Sequence, residues 1–111
     1  SRRMTGDDLA ALVAAGESAT LEFKKSTAEK DRACRTLCAF ANGQGGRLLF
    51  GVTPAGRRVG QSVADRTLEE LAQEFQGFEP PVLPTVERVH VAPEREVLVV
   101  TLKDEMPLRY R

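Results

Sequence analysis

The chain has 111 residues, of which 41% are hydrophobic and 29% are charged, and its formal net charge at pH 7 is zero. This length supports one hydrophobic core and is too short for two, no apolar run approaches the roughly 20 residues of a membrane span, and zero net charge excludes a generally adhesive polycation. We therefore predict one domain over residues 1–111, no membrane partner and a cytoplasmic location.

The charges are unevenly distributed along this neutral chain. Residues 1–66 hold eleven Lys and Arg against seven Asp and Glu, whereas residues 67–111 hold five against nine. The first part is therefore basic and the second is acidic. This asymmetry suggests one basic face and gives some support to a nucleic-acid partner.

A helix and a strand are predicted at the start of the chain. Thr5 begins a Thr-x-x-acid pattern typical of a helix start, and Gly16 supplies the left-handed conformation at which that helix is expected to end. Residues 20–24 then alternate between apolar and polar, as a half-buried strand does. Phe23 is expected to point into the core, which leaves Glu22 on the opposite face and available for chemistry.

The second predicted helix covers residues 27–42. Ser26 and Glu29 have the spacing of a capping box, with Ser26 as the cap and Glu29 reaching back. A broad apolar stripe that includes Leu37 and Phe40 indicates that this helix is deeply packed.

The two cysteines lie on this helix. Cys34 and Cys38 are four residues apart, so they share a helix face, but helical side-chain directions suit a disulfide poorly. A zinc site would need further ligands, and the chain offers only the distant His90. We predict two buried, reduced thiols and no metal.

A polar, glycine-rich turn follows the second helix and contains Asn42, Gly43, Gly45 and Gly46. A phosphate-binding loop requires a strand, then glycines, then a helix whose N-terminal amides meet the anion. Here that order is reversed. We interpret the turn as structural, leading into a strand at 47–52 that is apolar enough to be buried on both faces.

The remaining elements are predicted from their hydrophobic periods and turn residues. They are a short return strand at 57–60, a helix at 67–76 and strands at 84–91 and 96–102. The expected fold is a single α+β domain with a mostly antiparallel sheet packed with helices. We further expect the chain to be one piece of a longer polypeptide.

The distinctive motifs lie between residues 17 and 60. Residues 17–24 read Glu-x4-Glu-Phe-Lys, residues 39–42 read Ala-Phe-Ala-Asn, and a Gly-Gly turn at 45–46 precedes a hydrophobic strand that ends in Gly-Val. In this combination the chain resembles the Schlafen AlbA_2 domain, also called divergent AAA-4. The AAA name is not supported by a Walker motif in this sequence.

This resemblance implies a possible nuclease site. In Schlafen ribonucleases two glutamates of this segment and an Asp just after the Gly-Val strand bind a divalent metal, and Glu17 and Glu22 match the first two by spacing. The third acid should fall at Thr53 or Pro54, and neither is acidic. The alternative, which the missing acid favours, is a solvated Glu17 and a Glu22 in a salt bridge with Lys24 or with an arginine of a neighbouring strand. No cofactor is therefore expected, except Mg²⁺ or Mn²⁺ if the domain is a nuclease.

Several cations could contact nucleic-acid phosphates, and only some of them are expected to share a face. They are Lys24, Lys25, Arg32, Arg35, Arg47, Arg57 and Arg58. Phosphate contacts position a protein without reading sequence, so such a surface predicts salt-sensitive, weakly specific binding. Only Phe78 and Tyr110 are candidates for base stacking, and Phe78 is expected to be a packed loop anchor.

Three function classes stay open on these residues. The favoured one is a DNA- or RNA-binding domain of a regulator-type protein. The others are a metal-dependent endoribonuclease using Glu17 and Glu22, and a nucleotide- or protein-interaction domain. Because Schlafen cores pair two such lobes around a groove, the resemblance also implies a homodimer.

Overall fold

The computed structural model describes residues 2–103 and 107–111, which contain three α-helices and six strands. In chain order these are α1 (Gly6–Ala15), β1 (Leu21–Lys24), α2 (Lys30–Ala41), β2 (Gly46–Phe50), α3 (Asp65–Phe75), β3 (Phe78–Glu79), β4 (Thr85–Ala92), β5 (Arg95–Leu102) and β6 (Arg109–Tyr110). One 3-10 turn, Thr27–Glu29, directly precedes α2. No helix in the described part of the chain is long and apolar enough to cross a membrane.

Four strands form the main sheet in the order β1-β2-β5-β4. β1 and β2 are parallel because α2 carries the chain back to the end at which β1 began, as a crossover must. β5 pairs antiparallel with both β2 and β4, while β3 and β6 form a separate two-stranded pair. The predicted α+β fold with a mostly antiparallel sheet is confirmed.

The main sheet is covered on both faces. α2 and α3 pack on one face against alternate strand residues that include Leu48 and Phe50. α1 packs on the other face with Leu21, Phe23 and Leu49. Strand β5 lies between these two layers of the core, and all of residues 97–100 are fully buried because β5 is an interior strand of the sheet.

The cap of α1 follows the sequence pattern. The Thr5 hydroxyl accepts from the Asp8 N–H at 3.1 Å, and the Asp8 carboxylate accepts from the Thr5 N–H at 2.9 Å. The helix ends at Gly16, where φ is +81°. An addition that the pattern did not predict is Arg2, whose guanidinium donates to both Asp8 carboxylate oxygens at 2.9 Å.

This arrangement predicts an unusually acidic Asp8. The Arg2 hydrogen bond, followed by those from Thr5, lowers the pKa of the Asp8 carboxyl from its ordinary 3.8 to about 2. The pKa of Asp8 is lower in the folded chain than in the unfolded one, so the charged carboxylate stabilises the folded state. This stabilisation is complete above pH 3.8 and is lost as the pH falls through about 2. An NMR titration should give this pKa, and Arg2→Ala should return it toward the ordinary value. A wild-type pKa near 3.8 would contradict the ion pair.

The predicted helix at 27–42 is confirmed, with Leu37 fully buried and Phe40 8% exposed. Its start differs from the predicted capping box. The Ser26 hydroxyl accepts from the Ala28 N–H at 3.2 Å, as a cap does. Glu29, however, accepts from the Lys25 N–H and not from Ser26, because the chain enters through a 3-10 turn that turns this carboxylate toward β1.

The predicted return strand at 57–60 is wrong. Thr53 begins a tight turn in which its N–H donates to the Arg57 carbonyl at 3.0 Å, and only Arg58 forms an isolated bridge, opposite Val52. The backbone then curls away, because Gly60 has a φ of +70° and donates to the Gly51 carbonyl at 2.8 Å. A continuing strand is therefore impossible at this point.

The later predictions agree with the structure. The helix predicted at 67–76 is α3, and the strands predicted at 84–91 and 96–102 are β4 and β5, which pair as a hairpin. Phe78 is 1% exposed, with its ring centroid 6.4 Å from that of Phe75 and 5.3 Å from that of Tyr110, so it is a packed anchor.

Candidate functional site

Glu22, one of the two predicted metal ligands, lies on β1 at the free edge of the main sheet. Its side chain and that of Lys24 emerge on the face opposite to Phe23, as the alternation predicted. The Lys24 ammonium lies 3.3 Å from the Glu22 carboxylate, and only 15% of the Lys24 side chain is exposed. This ion pair holds a positive charge at the place where a metal would have to bind.

Two other glutamates seal the free edge of β1. Glu17 folds back so that its Oε2 accepts from the Phe23 N–H at 2.9 Å, and the Glu29 carboxylate accepts from the Lys25 N–H at 3.4 Å. Unpaired N–H groups at a sheet edge invite pairing with another strand. One oxygen of Glu17 therefore has a structural role, and it is unavailable as a free metal ligand.

Glu17, Glu22 and Glu29 line one cleft of about 360 Å³, together with Lys24, Lys25 and Pro54. Glu29 was missed from the sequence because its spacing from Ser26 was interpreted only as a helix cap. Within residues 2–103 and 107–111, no group of three or more His, Cys, Asp or Glu is placed to hold a metal ion.

The expected position of a third acid is occupied by a neutral residue. Pro54 lines the cleft, whereas the Thr53 hydroxyl accepts from the Arg57 N–H at 3.0 Å and stabilises the turn. Asp65 begins α3 and does not line this cleft. The cleft thus contains two lysines, and each of its three carboxylates already has a hydrogen-bond or ion-pair partner.

The seven predicted phosphate contacts do not form one surface. Lys24 and Lys25 line the glutamate cleft, Arg47 lies at the start of β2, and Arg32 and Arg35 are exposed on α2. Each of these groups is at a different place around the sheet.

Arg57 and Arg58 are the pair that the structure does bring together. They line a depression of about 500 Å³ with His90 and Asp7, just beyond the end of β2. Both arginines are exposed, and neither forms an ion pair with a described carboxylate.

The glycine-rich turn uses its amides internally. The Gly43 and Gly45 N–H groups donate to the Phe40 carbonyl at 3.0 and 2.6 Å, so they are not directed at a ligand. Asn42 has a long-range role that the sequence did not indicate. Its side chain accepts from the Leu108 N–H at 2.7 Å and donates to the Leu108 carbonyl at 2.9 Å, which attaches the C-terminal segment to α2.

The cysteines on α2 are free and buried. Burial raises the pKa of the Cys34 thiol to about 12, and the Glu74 carboxylate contributes further. Burial also raises the pKa of the Cys38 thiol, whose Sγ donates to a backbone carbonyl. Neither thiol is therefore poised for nucleophilic chemistry.

The ring and the hydroxyl of Tyr110 both contact neighbouring side chains, so this residue is not free to stack on a nucleic-acid base. The guanidinium carbons of Arg35 and Arg111 lie 5.3 and 5.8 Å from its ring centroid, and its hydroxyl donates to the Glu74 carboxylate. Burial, followed by that hydrogen bond, raises the pKa of the phenol above its usual range. This cluster depends on β6 meeting α2 and α3, for which the sequence carries no local signal.

Comparison with protein families places these residues in a known context. The family model described as Schlafen, AlbA_2 matches residues 17–110. The chain belongs to the Schlafen AlbA_2 family. A comparison with curated proteins finds no significant match.

A solved structure is also similar to this Schlafen AlbA_2 domain. It is the N-terminal domain of a protein of Nitrosomonas europaea related to the ATP-dependent DNA helicase RecG. The TM-score is 0.72 at 26% sequence identity, and the match covers 93% of this chain and 75% of that one.

Efficient RNA cleavage by this Schlafen AlbA_2 domain is not expected. Metal-assisted cleavage needs an ion held firmly enough to activate water, and Mg²⁺ binds poorly where fixed negative charge is low. Here Lys24 opposes the cation, Glu17 is hydrogen-bonded to the backbone, and Pro54 supplies no charge.

The measurement is incubation of a tRNA or single-stranded RNA with the domain and Mn²⁺. The control is the Glu17→Ala, Glu22→Ala double variant, which lacks both candidate ligands. RNA that stays intact with both proteins agrees with the prediction. Cleavage by the wild type that the double variant loses would restore the nuclease hypothesis.

Proposed function

We propose that this domain binds nucleic acid through the phosphate backbone, with Arg57 and Arg58 as its principal contacts. The observation that carries the proposal is their position side by side in one exposed depression without carboxylate partners among the described residues. Arginines that form no ion pair are suited to a phosphate group, and Asp7, the acid of the same depression, lies outside ion-pair distance of both. The relation of the Nitrosomonas protein to a DNA helicase supports the same class of partner.

The turn that carries these arginines is well fixed. Its first residue, Thr53, accepts from the Arg57 N–H, and Gly60 is hydrogen-bonded to Gly51 just after the pair. A fixed turn loses less conformational entropy on binding than a mobile loop does. Arg57 and Arg58 are thus pre-organised for an extended polyanion.

Lys25 extends this basic region toward the glutamate cleft. It is exposed immediately after β1, and it shares the cleft with Pro54, which belongs to the same turn as Arg57. Glu17, which precedes β1, and Glu22, which lies on β1, line that cleft and would repel a phosphate. We therefore infer that the backbone passes over the turn and Lys25 without entering the cleft.

Binding of this kind is expected to be weakly specific. Phosphate contacts carry no sequence information, and the two aromatic candidates are unavailable, since Phe78 is buried and Tyr110 is engaged. A homodimer would place two arginine pairs on one assembly and increase avidity. That assembly and the role in a regulator-type protein remain predictions.

The proposal is tested by fluorescence anisotropy with labelled duplex DNA and single-stranded RNA. We expect affinity to fall steeply between about 50 and 200 mM salt, because each phosphate contact releases counterions, and to be similar for scrambled sequences. Undetectable binding at the lowest salt, or binding that salt does not weaken, would contradict the proposal.

A further inference from the structure

A second basic depression lies at the opposite end of the main sheet from Arg57 and Arg58. It is formed where β1 and β2 begin and β5 ends, next to the last turn of α1. Its volume is about 620 Å³, a size typical of sites for small ligands. Nothing in the proposed backbone-binding surface uses it.

Arg47 and Lys103 provide the positive charge of this depression. Both are exposed, and the described lining contains no carboxylate. Arg47 also borders a neighbouring depression with Asp8 and Glu87, but those acids have other partners. Asp8 is held by a guanidinium of the N-terminal segment, and Glu87 accepts from a backbone N–H at 3.0 Å. Among the residues that the structure describes, Arg47 thus has no carboxylate partner, and its guanidinium can contact an anion.

The rest of the lining combines polar side chains, including the Gln44 amide and the hydroxyls of Ser18, Thr20 and Thr101, with apolar side chains. The Ser18 and Thr20 hydroxyls lie 3.4 Å from each other, and either oxygen could donate to or accept from a ligand. Leu12 and Ala15 of α1 form an accessible apolar side, whereas Leu21 and Leu102 border the depression with side chains that are buried on opposite faces of the sheet. A simple inorganic anion would use the cations and leave this apolar side uncovered, so the lining favours a ligand with both an anionic and an apolar part.

We propose that this depression binds a small phosphomonoester with an apolar or aromatic body, of the size of a nucleoside monophosphate. Arg47 and Lys103 contact the phosphate, the two hydroxyls complete its hydrogen bonds, and Leu12 and Ala15 contact the body. The terminal phosphate of a nucleic-acid strand presents the same chemistry. We take the ligand to be a free small molecule, and the experiment distinguishes such a molecule from the end of a nucleic-acid strand.

The first probe is AMP, added to the ¹⁵N-labelled chain and followed by NMR. Saturable shifts are expected at the amides of Thr20, Arg47 and Lys103. Arg47→Ala should weaken AMP binding about tenfold or more, the change that loss of a hydrogen bond to a charged group produces. Arg47→Lys should have a smaller effect, because it keeps the charge.

The matched control is Arg57→Glu, Arg58→Glu, which alters the other end of the sheet and should leave AMP binding unchanged. Adenosine lacks the phosphate, and glycerol 3-phosphate lacks the apolar body. The affinity of each should therefore be lower than that of AMP by a factor of about ten or more. Oligonucleotides with a 5′-phosphate or a 5′-hydroxyl should bind alike if the ligand is a free small molecule.

Three results would overturn the proposal. They are the absence of saturable shifts with AMP, AMP binding that Arg47→Ala leaves intact, and an oligonucleotide 5′-phosphate that binds this depression more tightly than AMP does. Because Arg47 is exposed, the variant is expected to fold, and its spectrum reports folding directly. Salt-dependent nucleic-acid binding is measured separately, so failure of one proposal is distinguishable from failure of the other.

Discussion

Gly46→Ala is expected to destabilise the fold by about 1–3 kcal/mol, which is the usual cost of overpacking a well-packed site. A Cβ at this position would lie 2.5 and 2.7 Å from two carbons of the Phe40 ring and 2.8 Å from the Thr20 carbonyl oxygen. The ring is buried and the carbonyl belongs to the backbone, so neither can move away at low cost. Gly46 is therefore required by close packing of α2 against the start of β2.

The matched control is Gly43→Ala in the same turn. A Cβ there would meet only backbone oxygens at 3.7 and 3.8 Å, and Gly43 does not have a positive φ. The change should leave stability unchanged or raise it by about 0.4–1 kcal/mol, because alanine reduces the entropy of the unfolded chain.

Urea denaturation measures both variants. We expect a lower midpoint for Gly46→Ala and an unchanged slope, which together indicate a true loss of stability. Equal midpoints for the two variants would contradict the packing explanation. They would reopen the interpretation of these glycines as a loop that approaches a ligand.

The elements that the sequence predicted well are those with a strong local period. The helix containing Leu37 and Phe40 and the helix α3 each carry an apolar stripe with clear ends, and the buried strand β2 is almost entirely apolar. In these segments local preference and tertiary packing agree, so single-sequence reasoning is sufficient.

The prediction of a return strand at 57–60 is wrong because tertiary packing determines the conformation of that segment. Arginine, valine and glycine after a Pro-Gly turn are compatible with a hairpin. The close approach of Gly60 to Gly51, with the chain passing on toward Glu96, is visible only in the fold. A hydrogen bond between residues far apart in sequence leaves no periodic signal.

The candidate site was predictable only in part for a similar reason. Alternation along β1 correctly placed Glu22 and Lys24 on one face. The partner of Glu29, however, is an edge amide whose exposure depends on the strand order β1-β2-β5-β4. Arg47 and Arg57 are separated by the length of β2, because one lies at its start and the other follows its end, so these two arginines lie at opposite ends of the sheet.

Reversing the charge of the arginine pair is expected to have the largest effect on nucleic-acid binding. Arg57→Glu, Arg58→Glu removes two phosphate contacts and introduces two repulsive charges. We expect duplex DNA to bind about an order of magnitude more weakly, or worse, at physiological salt. The dependence of log affinity on log salt should become shallower by about 2, because each lost contact removes close to one unit.

Arg66→Glu, Arg109→Glu is the matched control, since it changes the net charge by the same amount. Both arginines are exposed, and neither lines the depression of Arg57 and Arg58. Each already forms an ion pair, Arg66 with Glu70 at 3.2 Å and Arg109 with Glu79 at 3.0 Å. Their surface ion pairs contribute little to stability, so the control should fold. If both double variants lose affinity equally, net charge and not the turn governs binding. If the Arg57, Arg58 variant binds as the wild type does with an unchanged salt slope, nucleic acid does not contact this turn.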